Sequence, residues 1–369
     1  MGWCTTSDLD QFAAAAKGYL RSRAAENTML LSTALAVRSG RPSQVVGQRP
    51  APGATVGVGG EGGLLYGWWE PPDGSGARGA FIHDPAVPLL IAGRAPEMAA
   101  ALAGTLSKLG RHVSGVDAPV EAADAFAAAW SQREHSSVRV HRHCRVYRLT
   151  APAAGGQPSG PAVAPAPAGR LRVMTPADRE LLIDWLIAFG IEAGERISSP
   201  PDVADDLLGY GGAVLWEAPQ RTFRIREAAH YLVSSQHRDA AQQAEPAYQP
   251  AALATVARPV AGTVRINMVY TPPERRRNGH AAAVTLMTSR AILAGTVPGA
   301  SPGAEAGSEV VLIADGNRPD RQVTRLGYRL VAERTVLRFG PSTGPEPRLP
   351  ANTRPMPRLP TGPLPRLRR

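Results

Sequence analysis

The sequence predicts a mixed α/β protein with two domains, and three observations support this prediction. Helical and strand-like patterns alternate through both halves of the chain, as they do in mixed α/β folds. A stretch rich in Pro, Ala and Gly, residues 151–169, separates the halves and cannot bury enough apolar surface to fold. The length of 369 residues also favours about two domains. We therefore expect an N-terminal domain over 1–150, a linker over 151–169 and a second domain over 170–340.

In the first domain the periodicity predicts four helices and three strands. Apolar residues that recur every three to four positions indicate helices, and strict alternation indicates half-buried strands. Gly40 ends the second helical pattern, because glycine readily adopts the left-handed backbone that follows many helices. The predicted helices cover 8–22, 26–39, 96–109 and 119–132. The predicted strands cover 64–70, 78–83 and 137–149.

The second domain opens with a strand over 170–174 and a helix that begins at Thr175. Thr175 suits the N-cap, Pro176 the first helical position, and Asp178 the third, from which its carboxylate can bond back to the cap. One buried stripe of this helix is formed by Leu182, Trp185, Leu186 and Phe189. Further helices are predicted over 201–208, 279–294 and 319–326. Further strands are predicted over 212–217, 250–258, 263–271, 309–315 and 329–338.

The two halves repeat one order of elements. In each, two helices precede a strand that ends in a Trp-Glu pair, Trp68-Trp69-Glu70 in the first half and Leu215-Trp216-Glu217 in the second. The repeat indicates that the first half is a diverged copy of the second. Coincidence is the alternative, because the identity extends over two residues.

Charge and cysteine content disfavour several classes of function. The formal net charge is +10, but half of this excess lies in a Pro- and Arg-rich tail, 341–369, which we expect to be disordered. Aromatic residues make up 5% of the chain and do not interleave with a basic face, which disfavours nucleic-acid binding. No apolar run approaches the ~20 residues that cross a bilayer. Two cysteines, Cys4 and Cys144, are too few for a disulfide framework and favour a reducing, cytoplasmic location.

The stretch most informative about chemistry is 263–283. An alternating strand leads into Thr271-Pro272-Pro273-Glu274, then into a basic turn that contains Gly279, and then into an Ala-rich helix. The first turn of a helix has unpaired N–H groups and a partial positive charge, so this arrangement suits an anion such as a phosphate. The chain contains neither the P-loop spacing nor a G-x-G-x-x-G after a strand here. The alternative is a basic surface turn beside an ordinary helix.

This turn resembles the acyl-CoA signature R/Q-x-x-G-x-G/A of the GCN5-related N-acetyltransferases (GNAT superfamily). The matching hexapeptide is Arg276-Arg277-Asn278-Gly279-His280-Ala281. Three later segments are similar to the family's fifth strand, the asparagine after it and the end of its fourth helix: Val310–Asp315, Asn317 and Leu326-Gly327-Tyr328. The resemblance covers about 170–340 and fits the two-domain bacterial, actinobacterial-like type. It implies a GNAT fold in the second domain and a diverged GNAT-like fold in the first.

The resemblance also implies an activity and a set of binding residues. The reaction implied is direct transfer of an acetyl group from acetyl-CoA, a co-substrate, to an amine on a small molecule or a protein, without a metal. The N–H groups from Arg276 to Ala282 would bind the pyrophosphate, and the pantetheine would lie in a splay between strands 263–271 and 309–315. The implied CoA-binding residues are Val269, Tyr270, Thr271, Arg276, Arg277, Asn278, Gly279, His280, Ala281, Ala282 and Asn317.

The catalytic residues are left open. The family often has a tyrosine four residues before the glycine of Leu-Gly-Tyr, as general acid for the leaving thiolate, but this chain has Val323 there. Water or Tyr328 could replace that tyrosine as the acid. Glu217 is the one candidate for the base, and the alternative is that it is an exposed carboxylate at a strand end with a structural role. A non-catalytic acyl-CoA-binding or sensing protein is therefore kept as a second hypothesis, and an interaction module acting through the tail as a third.

Two weaker patterns have structural alternatives. His141, His143 and Cys144 could suggest a metal site, but an edge-strand polar face explains them better and we expect no metal. Four tryptophans could line an acceptor pocket, although core packing is the simpler role; they are Trp68, Trp69, Trp185 and Trp216. The insertion at 218–249 and the oligomeric state are left unassigned.

Overall fold

The described part of the molecule forms one twelve-stranded mixed sheet with helices on both faces. This computed structural model describes residues 2–40, 63–150, 166–194, 197, 199–220, 247–296, 309–316 and 321–341. The strands are β1 Gly2–Thr6, β2 Leu65–Glu70, β3 Gly79–His83, β4 Leu89–Ala92, β5 Gly115–Pro119, β6 Ser136–Thr150, β7 Arg170–Val173, β8 Ala213–Pro219, β9 Tyr248–Val256, β10 Thr263–Tyr270, β11 Glu309–Asp315 and β12 Arg329–Pro341. The helices are α1 Leu9–Ser22, α2 Thr28–Arg38, α3 Pro96–Lys108, α4 Val120–Glu134, α5 Arg179–Ala193, α6 Pro200–Gly209, α7 His280–Leu293 and α8 Arg321–Arg325.

The predicted helices are all present, and the mixed α/β class is confirmed. Asp178 bonds back to the N-cap as predicted, since its carboxylate accepts the Thr175 N–H at 2.8 Å. A 3₁₀ turn over Pro176–Asp178 precedes α5, however, so the regular α-helix begins later than predicted. Leu182 and Leu186 of the predicted stripe are buried, and Trp185 and Phe189 pack partly against the same core.

Three strands were not predicted: β1, β4 and β5. β4 is a four-residue run that is buried throughout, so it has no alternation to distinguish it from a loop or a helix. β5 contains Asp117 and Pro119, two residue types that are depleted in strands. Each of these strands is short, and partners distant in sequence determine its conformation.

The two halves repeat one topology, which confirms the predicted duplication. In the first half, β1 to β4 pair antiparallel in sequence and β4 then pairs parallel with β5. In the second half, β7 to β10 and the parallel pair of β10 with β11 repeat this order. Glu70 lies opposite Gly2, and Glu217 lies opposite Arg170, so the two Trp-Glu pairs occupy the same place in each half.

The last strand of each half is exchanged. β6 follows α4 of the first half but pairs with β11, whereas β12 ends the second half and pairs with β5. β6 and β12 also pair with each other along most of their length. The halves are therefore joined through the centre of one sheet, and their division at residues 151–169 stays a prediction about the chain.

Each half packs its own helices on both faces of its part of the sheet. In the first half α1 and α2 cover one face, and α3 and α4 cover the other. In the second half α5 and α6 cover the face equivalent to that of α1 and α2, and α7 covers the opposite one. These layers place the N-terminus of α7 at the carboxyl end of β10, where the predicted site lies. None of the helices in the described ranges has the length and apolar character to cross a membrane.

Candidate functional site

A cleft opens between the parallel strands β10 and β11. The strands pair from Thr263, opposite Glu309, to Ile266, opposite Leu312, and then diverge while each continues. On its other side β10 has a β-bulge between Ile266 and Met268, and a bulge bends the strand that carries it. The backbone of β10 beyond Ile266 is therefore unpaired on the side that faces the cleft.

The turn that follows β10 presents a row of unbonded N–H groups. Arg277 and Gly279 have left-handed backbone, with φ of +65° and +79°. The first bond of the helix runs from Ala283 N to the Gly279 carbonyl at 3.0 Å, and within the described residues no backbone acceptor meets the N–H groups from Arg277 to Ala282. A Cβ on Gly279 would meet only Pro167, at 3.6 Å, so the neighbourhood of this glycine is open. Such a concave set of donors at a helix N-terminus is suited to an anion.

Side chains of the signature hold this turn in shape. Arg276 Nε donates to the Thr271 carbonyl at 2.9 Å, and its Nη2 donates to both carboxylate oxygens of Glu192 on α5, at 2.6 and 2.7 Å. Asn278 Nδ2 donates to the carbonyls of Arg275 and Arg276, both at 3.2 Å. The Arg277 side chain is exposed, and within the described part of the chain it has no ion pair or hydrogen bond. Arg276 and Asn278 therefore brace the turn, and Arg277 supplies its unpaired positive charge.

Within the part of the chain that the structure describes, two buried polar atoms near the cleft lack a hydrogen-bond partner. They are Thr271 Oγ1, directly after β10, and His280 Nδ1, in the first turn of α7. Burial, with a smaller effect of Arg275, lowers the pKa of His280, so its imidazole is neutral at pH 7. Buried polar atoms are nearly always paired in native proteins. These two atoms, with the unbonded N–H groups, fit a ligand that has phosphate and amide groups.

The structure brings ten of the predicted CoA-binding residues into one segment around the cleft mouth. Val269 and Tyr270 end β10, and Thr271 follows them directly. Arg276 to Gly279 form the turn, and His280, Ala281 and Ala282 form the first turn of α7. Asn317 lies outside the described residues.

Glu217, the candidate base, is held in an ion-pair network on β8. Its carboxylate accepts from Arg170 Nε at 2.8 Å and from Arg172 Nε at 2.9 Å. Burial alone would raise the pKa of Glu217, but the two arginines outweigh it and lower the pKa. β9 also separates β8 from the cleft. Glu217 is therefore a weak base that lies away from the β10–β11 cleft, and its role is structural.

Tyr328, the one side chain proposed as the acid, is not available at the cleft. Tyr328 is buried, and its hydroxyl lies 2.7 Å from Ser289 Oγ on α7. Burial raises the pKa of Tyr328 far above its ordinary value. Val323, which stands in the place of the family tyrosine, packs partly against the same core. The idea that Tyr328 substitutes as the acid is thus disfavoured.

The equivalent cleft of the first half is closed. Arg334 of β12 inserts there, and its Nη2 donates to the carbonyls of Ile91 at 3.3 Å and Asp117 at 2.8 Å. Its Nε bonds the Asp117 carboxylate at 2.7 Å. The turn between β4 and α3 is short, and the helix begins with Pro96, which has no N–H, and Glu97. Sequence reasoning missed this closure, because Arg334 and Asp117 lie 217 positions apart.

The other candidates from the sequence have structural roles. His143 Nδ1 lies 3.2 Å from Thr335 Oγ1, and no group of three potential metal ligands occurs in the described ranges. Trp68 and Trp216 are buried in cores, and Trp69 and Trp185 pack against cores. Burial raises the pKa of the Cys144 thiol to about 11, so it stays protonated at pH 7.

Comparison with known proteins gives a likeness of fold. No family model and no curated protein matches the chain. The X-ray structure of a Drosophila protein covers 92% of this chain and 99% of its own, with a TM-score of 0.52 and 11% identity. A GCN5-related N-acetyltransferase from Sphaerobacter thermophilus has a TM-score of 0.48 at 14% identity, over 91% of this chain and 95% of its own. A tandem GNAT protein from the clavulanic acid biosynthesis pathway has a TM-score of 0.41 at 13% identity, over 93% and 99%.

The Drosophila protein supports the fold over nearly the whole chain, because its TM-score is the one of these three above 0.5. The duplicated strand order and the splayed β10–β11 pair are those that the resemblance implies. The chain has a two-domain GNAT fold. The predicted fold class is thereby confirmed. At these identities the likeness extends to the fold alone, so the activity of this GNAT-fold protein is argued from its own residues.

Proposed function

We propose that this protein is an acetyl-CoA-dependent N-acyltransferase, acting on groups other than amino-acyl groups, whose second half carries the site. The observation that carries the proposal is the row of unbonded N–H groups from Arg277 to Ala282 at the mouth of the β10–β11 cleft. We also propose that it acts in the bacterial cytoplasm on an amine of a small molecule or a protein. In the first half Arg334 occupies the equivalent cleft and α3 begins with Pro96 and Glu97, so one CoA is expected per chain.

The co-substrate, acetyl-CoA, would be held at two places. The N–H groups of the turn would bind the pyrophosphate, and the Arg277 guanidinium would add a charge that no described residue neutralises. The pantetheine arm would occupy the cleft, with backbone bonds to Val269 and Thr271 in place of the missing strand pairing. Asn317 is proposed as a further contact to that arm.

The reaction follows from this placement. The neutral amine nitrogen attacks the thioester carbonyl, the C–N bond forms, the C–S bond breaks, and the thiolate leaves as CoA. An N–H of β10 stabilises the oxyanion, and positioning two reactants in one complex supplies much of the rate. The two side chains considered as base and acid, Glu217 and Tyr328, are both held in other contacts, so we propose that water takes the amine proton and solvent protonates the thiolate.

A second function, acyl-CoA binding without catalysis, has one observation in its favour. Neither Tyr328 nor Val323 supplies a side-chain acid for the thiolate, because the Tyr328 hydroxyl is hydrogen-bonded to Ser289 and Val323 has no acidic group. Purified full-length protein with acetyl-CoA and a panel of amines separates the two functions, because free thiol reports turnover. Calorimetric binding of CoA without amine-dependent thiol release would favour the sensing function.

The variant that tests the CoA site is Gly279→Val. At φ +79° a β-branched residue is strained, and its side chain would stand among the N–H donors. We expect CoA affinity, measured by calorimetry, to fall roughly tenfold to a hundredfold, or about 1.4 to 2.8 kcal/mol. Gly110→Val is the matched control, because Gly110 has φ +62° and open surroundings at the end of α3. Unchanged CoA affinity in Gly279→Val would contradict the proposed site.

A further inference from the structure

A cavity of about 390 Å³ lies at the closed cleft of the first half. It is bounded by the connection between α1 and α2, the end of β4, the end of β5 and the side chains of β12. Its charged and hydroxyl groups are Tyr19, Arg23, Glu26, Arg78, Arg94 and Arg334. A volume of this size accommodates a small metabolite.

The lining carries an excess of positive charge. Arg23 and Arg94 share one carboxylate, Glu26, at 3.7 and 3.3 Å. The other two cavity arginines are each paired with a carboxylate outside the lining, Arg78 with Asp73 at 3.3 Å and Arg334 with Asp117 at 2.7 Å. Within the described residues, four guanidinium groups are therefore matched by three carboxylates. One positive charge is left, and it belongs to the pair that shares Glu26.

The lining offers hydrogen-bond donors, so a ligand bound there must supply the acceptors. Guanidinium groups only donate hydrogen bonds. Burial raises the pKa of Tyr19, although Arg23, Arg94 and Arg334 act in the opposite sense, so its hydroxyl is a neutral donor at pH 7. Arg334 is 3% exposed and cannot be neutralised by solvent ions as a surface arginine is. The chemistry that such a lining recognises is an oxyanion.

We propose that this cavity binds a small organic oxyanion, through a carboxylate or a phosphate group, on Arg23, Arg94 and Tyr19. The ligand competes with Glu26 for the two exposed arginines, so its binding is sensitive to that carboxylate. CoA is excluded, because Arg334 occupies the cleft and α3 begins with Pro96, which has no N–H, and the negatively charged Glu97. The site is independent of the CoA-binding function proposed for the second half.

The test uses three variants of the full chain that change the competition in different directions. Arg94→Gln removes a donor, and binding should weaken about tenfold. Glu26→Gln removes the competing carboxylate, and binding should tighten about threefold. Arg38→Gln is the matched control: Arg38 is 54% exposed and paired with Asp10 at 2.8 Å, away from the cavity, whereas Arg94 is 50% exposed.

The probes are inorganic phosphate, acetate and succinate, titrated at constant ionic strength and followed by calorimetry and thermal unfolding. We expect at least one probe to bind the wild type and raise its unfolding temperature, and the stronger probe tells a carboxylate from a phosphate ligand. Opposite shifts of affinity in Arg94→Gln and Glu26→Gln, with no shift in Arg38→Gln, support the site. CoA affinity should be equal in all of these proteins.

Two results would overturn the proposal. One is that none of the three probes binds the wild type. The other is that Arg94→Gln, Glu26→Gln and Arg38→Gln change probe affinity alike, which would indicate a general surface effect. If Arg94→Gln does not fold, Tyr19→Phe decides: weaker binding supports the site, and unchanged binding contradicts it.

Discussion

The two halves of this molecule share a topology but use the space between their fourth and fifth strands in opposite ways. In the second half β10 and β11 diverge and leave an open cleft, and the N–H groups from Arg277 to Ala282 at its mouth have no backbone acceptor among the described residues. In the first half the cleft holds the guanidinium of Arg334, and α3 begins with Pro96 after a short turn. The shared topology therefore does not by itself leave an open cleft: the turn before the helix and the residue that occupies the cleft differ between the two halves.

The strand exchange explains where the closing residue comes from. Arg334 lies on β12, which belongs to the second half in sequence but pairs with β5 of the first. One buried ion pair therefore closes the first cleft and fixes β12 to β5. Its loss should destabilise the first half more than any other change considered below.

The largest expected effect is that of Arg334→Met. The Arg334 side chain is 3% exposed and that of Asp117 is 13% exposed, so the variant leaves a carboxylate buried without its partner. We expect the free energy of unfolding, measured with urea, to fall by about 3–5 kcal/mol. Arg148→Met, which breaks an exposed pair with Glu309 beside β11, should cost at most about 1 kcal/mol.

The double variant Arg334→Met with Asp117→Leu sharpens the comparison. It removes both charges, so a large part of the lost stability should return. It also unblocks the first cleft, yet CoA stoichiometry should stay at one per chain, because α3 still begins with Pro96, which has no N–H, and the negatively charged Glu97. A stoichiometry of two CoA molecules per chain would contradict this difference between the halves, because Arg334 alone would then prevent the first half from binding CoA.

The turn of the proposed CoA site was predictable from sequence because its signals are local. Glycine in a basic turn, a strand before it and an Ala-rich helix after it all lie within 263–283, and the structure places them as predicted. Local signals could not reveal what Arg276 does, because its partner Glu192 lies on another helix. Among the described residues, the predicted donors from Arg277 to Ala282 have no backbone acceptor, whereas Arg276 N bonds the Pro273 carbonyl, and their binding of CoA stays a prediction.

The closed cleft and the exchanged strands were beyond reach for the same physical reason. Arg334, Asp117 and the pairing of β6 with β11 and β12 depend on contacts across more than a hundred residues, as the 217 positions between Arg334 and Asp117 illustrate. β5 is too short and alternates too little to be predicted as a strand, and Asp117 within it is a residue type more common in loops. The repeated Trp-Glu pair did predict the duplication, because β2 and β8, which carry the two pairs, have equivalent positions in the two halves.

An intermediate effect is expected from the equivalent glutamates, Glu217 and Glu70. Glu217 accepts from two arginines, whereas Glu70 accepts from Trp68 Nε1 at 2.7 Å. Glu217→Gln should lower the free energy of unfolding at pH 7 by about 1–3 kcal/mol. Glu70→Gln, at an exposed position, should lower it by at most about 1 kcal/mol.

The Glu217 network should also weaken in acid. Hydrogen bonds from Arg172 lower the pKa of Asp178 to about 2, and the pKa of Glu217 is lowered as well. A carboxylate with a lowered folded-state pKa stabilises fully above its unfolded pKa and loses that contribution as pH falls through the folded value. The difference between wild type and Glu217→Gln, measured by urea unfolding, should thus be constant above about pH 5 and shrink toward pH 2. A difference independent of pH would contradict the ion-pair assignment.

The smallest expected effect is that of Tyr328→Phe, which tests whether the open cleft uses a side-chain acid. Ser289 Oγ also donates to the Thr285 carbonyl at 2.6 Å, so removal of the tyrosine hydroxyl leaves Ser289 bonded and should cost about 1 kcal/mol of stability. Acyl transfer to amine should persist within about twofold, because the proposed reaction returns its protons to solvent; a true general acid would cost about a hundredfold. The measurement is thiol release against pH, in which the rate should follow the fraction of neutral amine in both proteins. A hundredfold loss in Tyr328→Phe, together with disappearance of a decline at alkaline pH that the wild type shows, would indicate that Tyr328 acts as the acid and that the core around Ser289 opens during turnover.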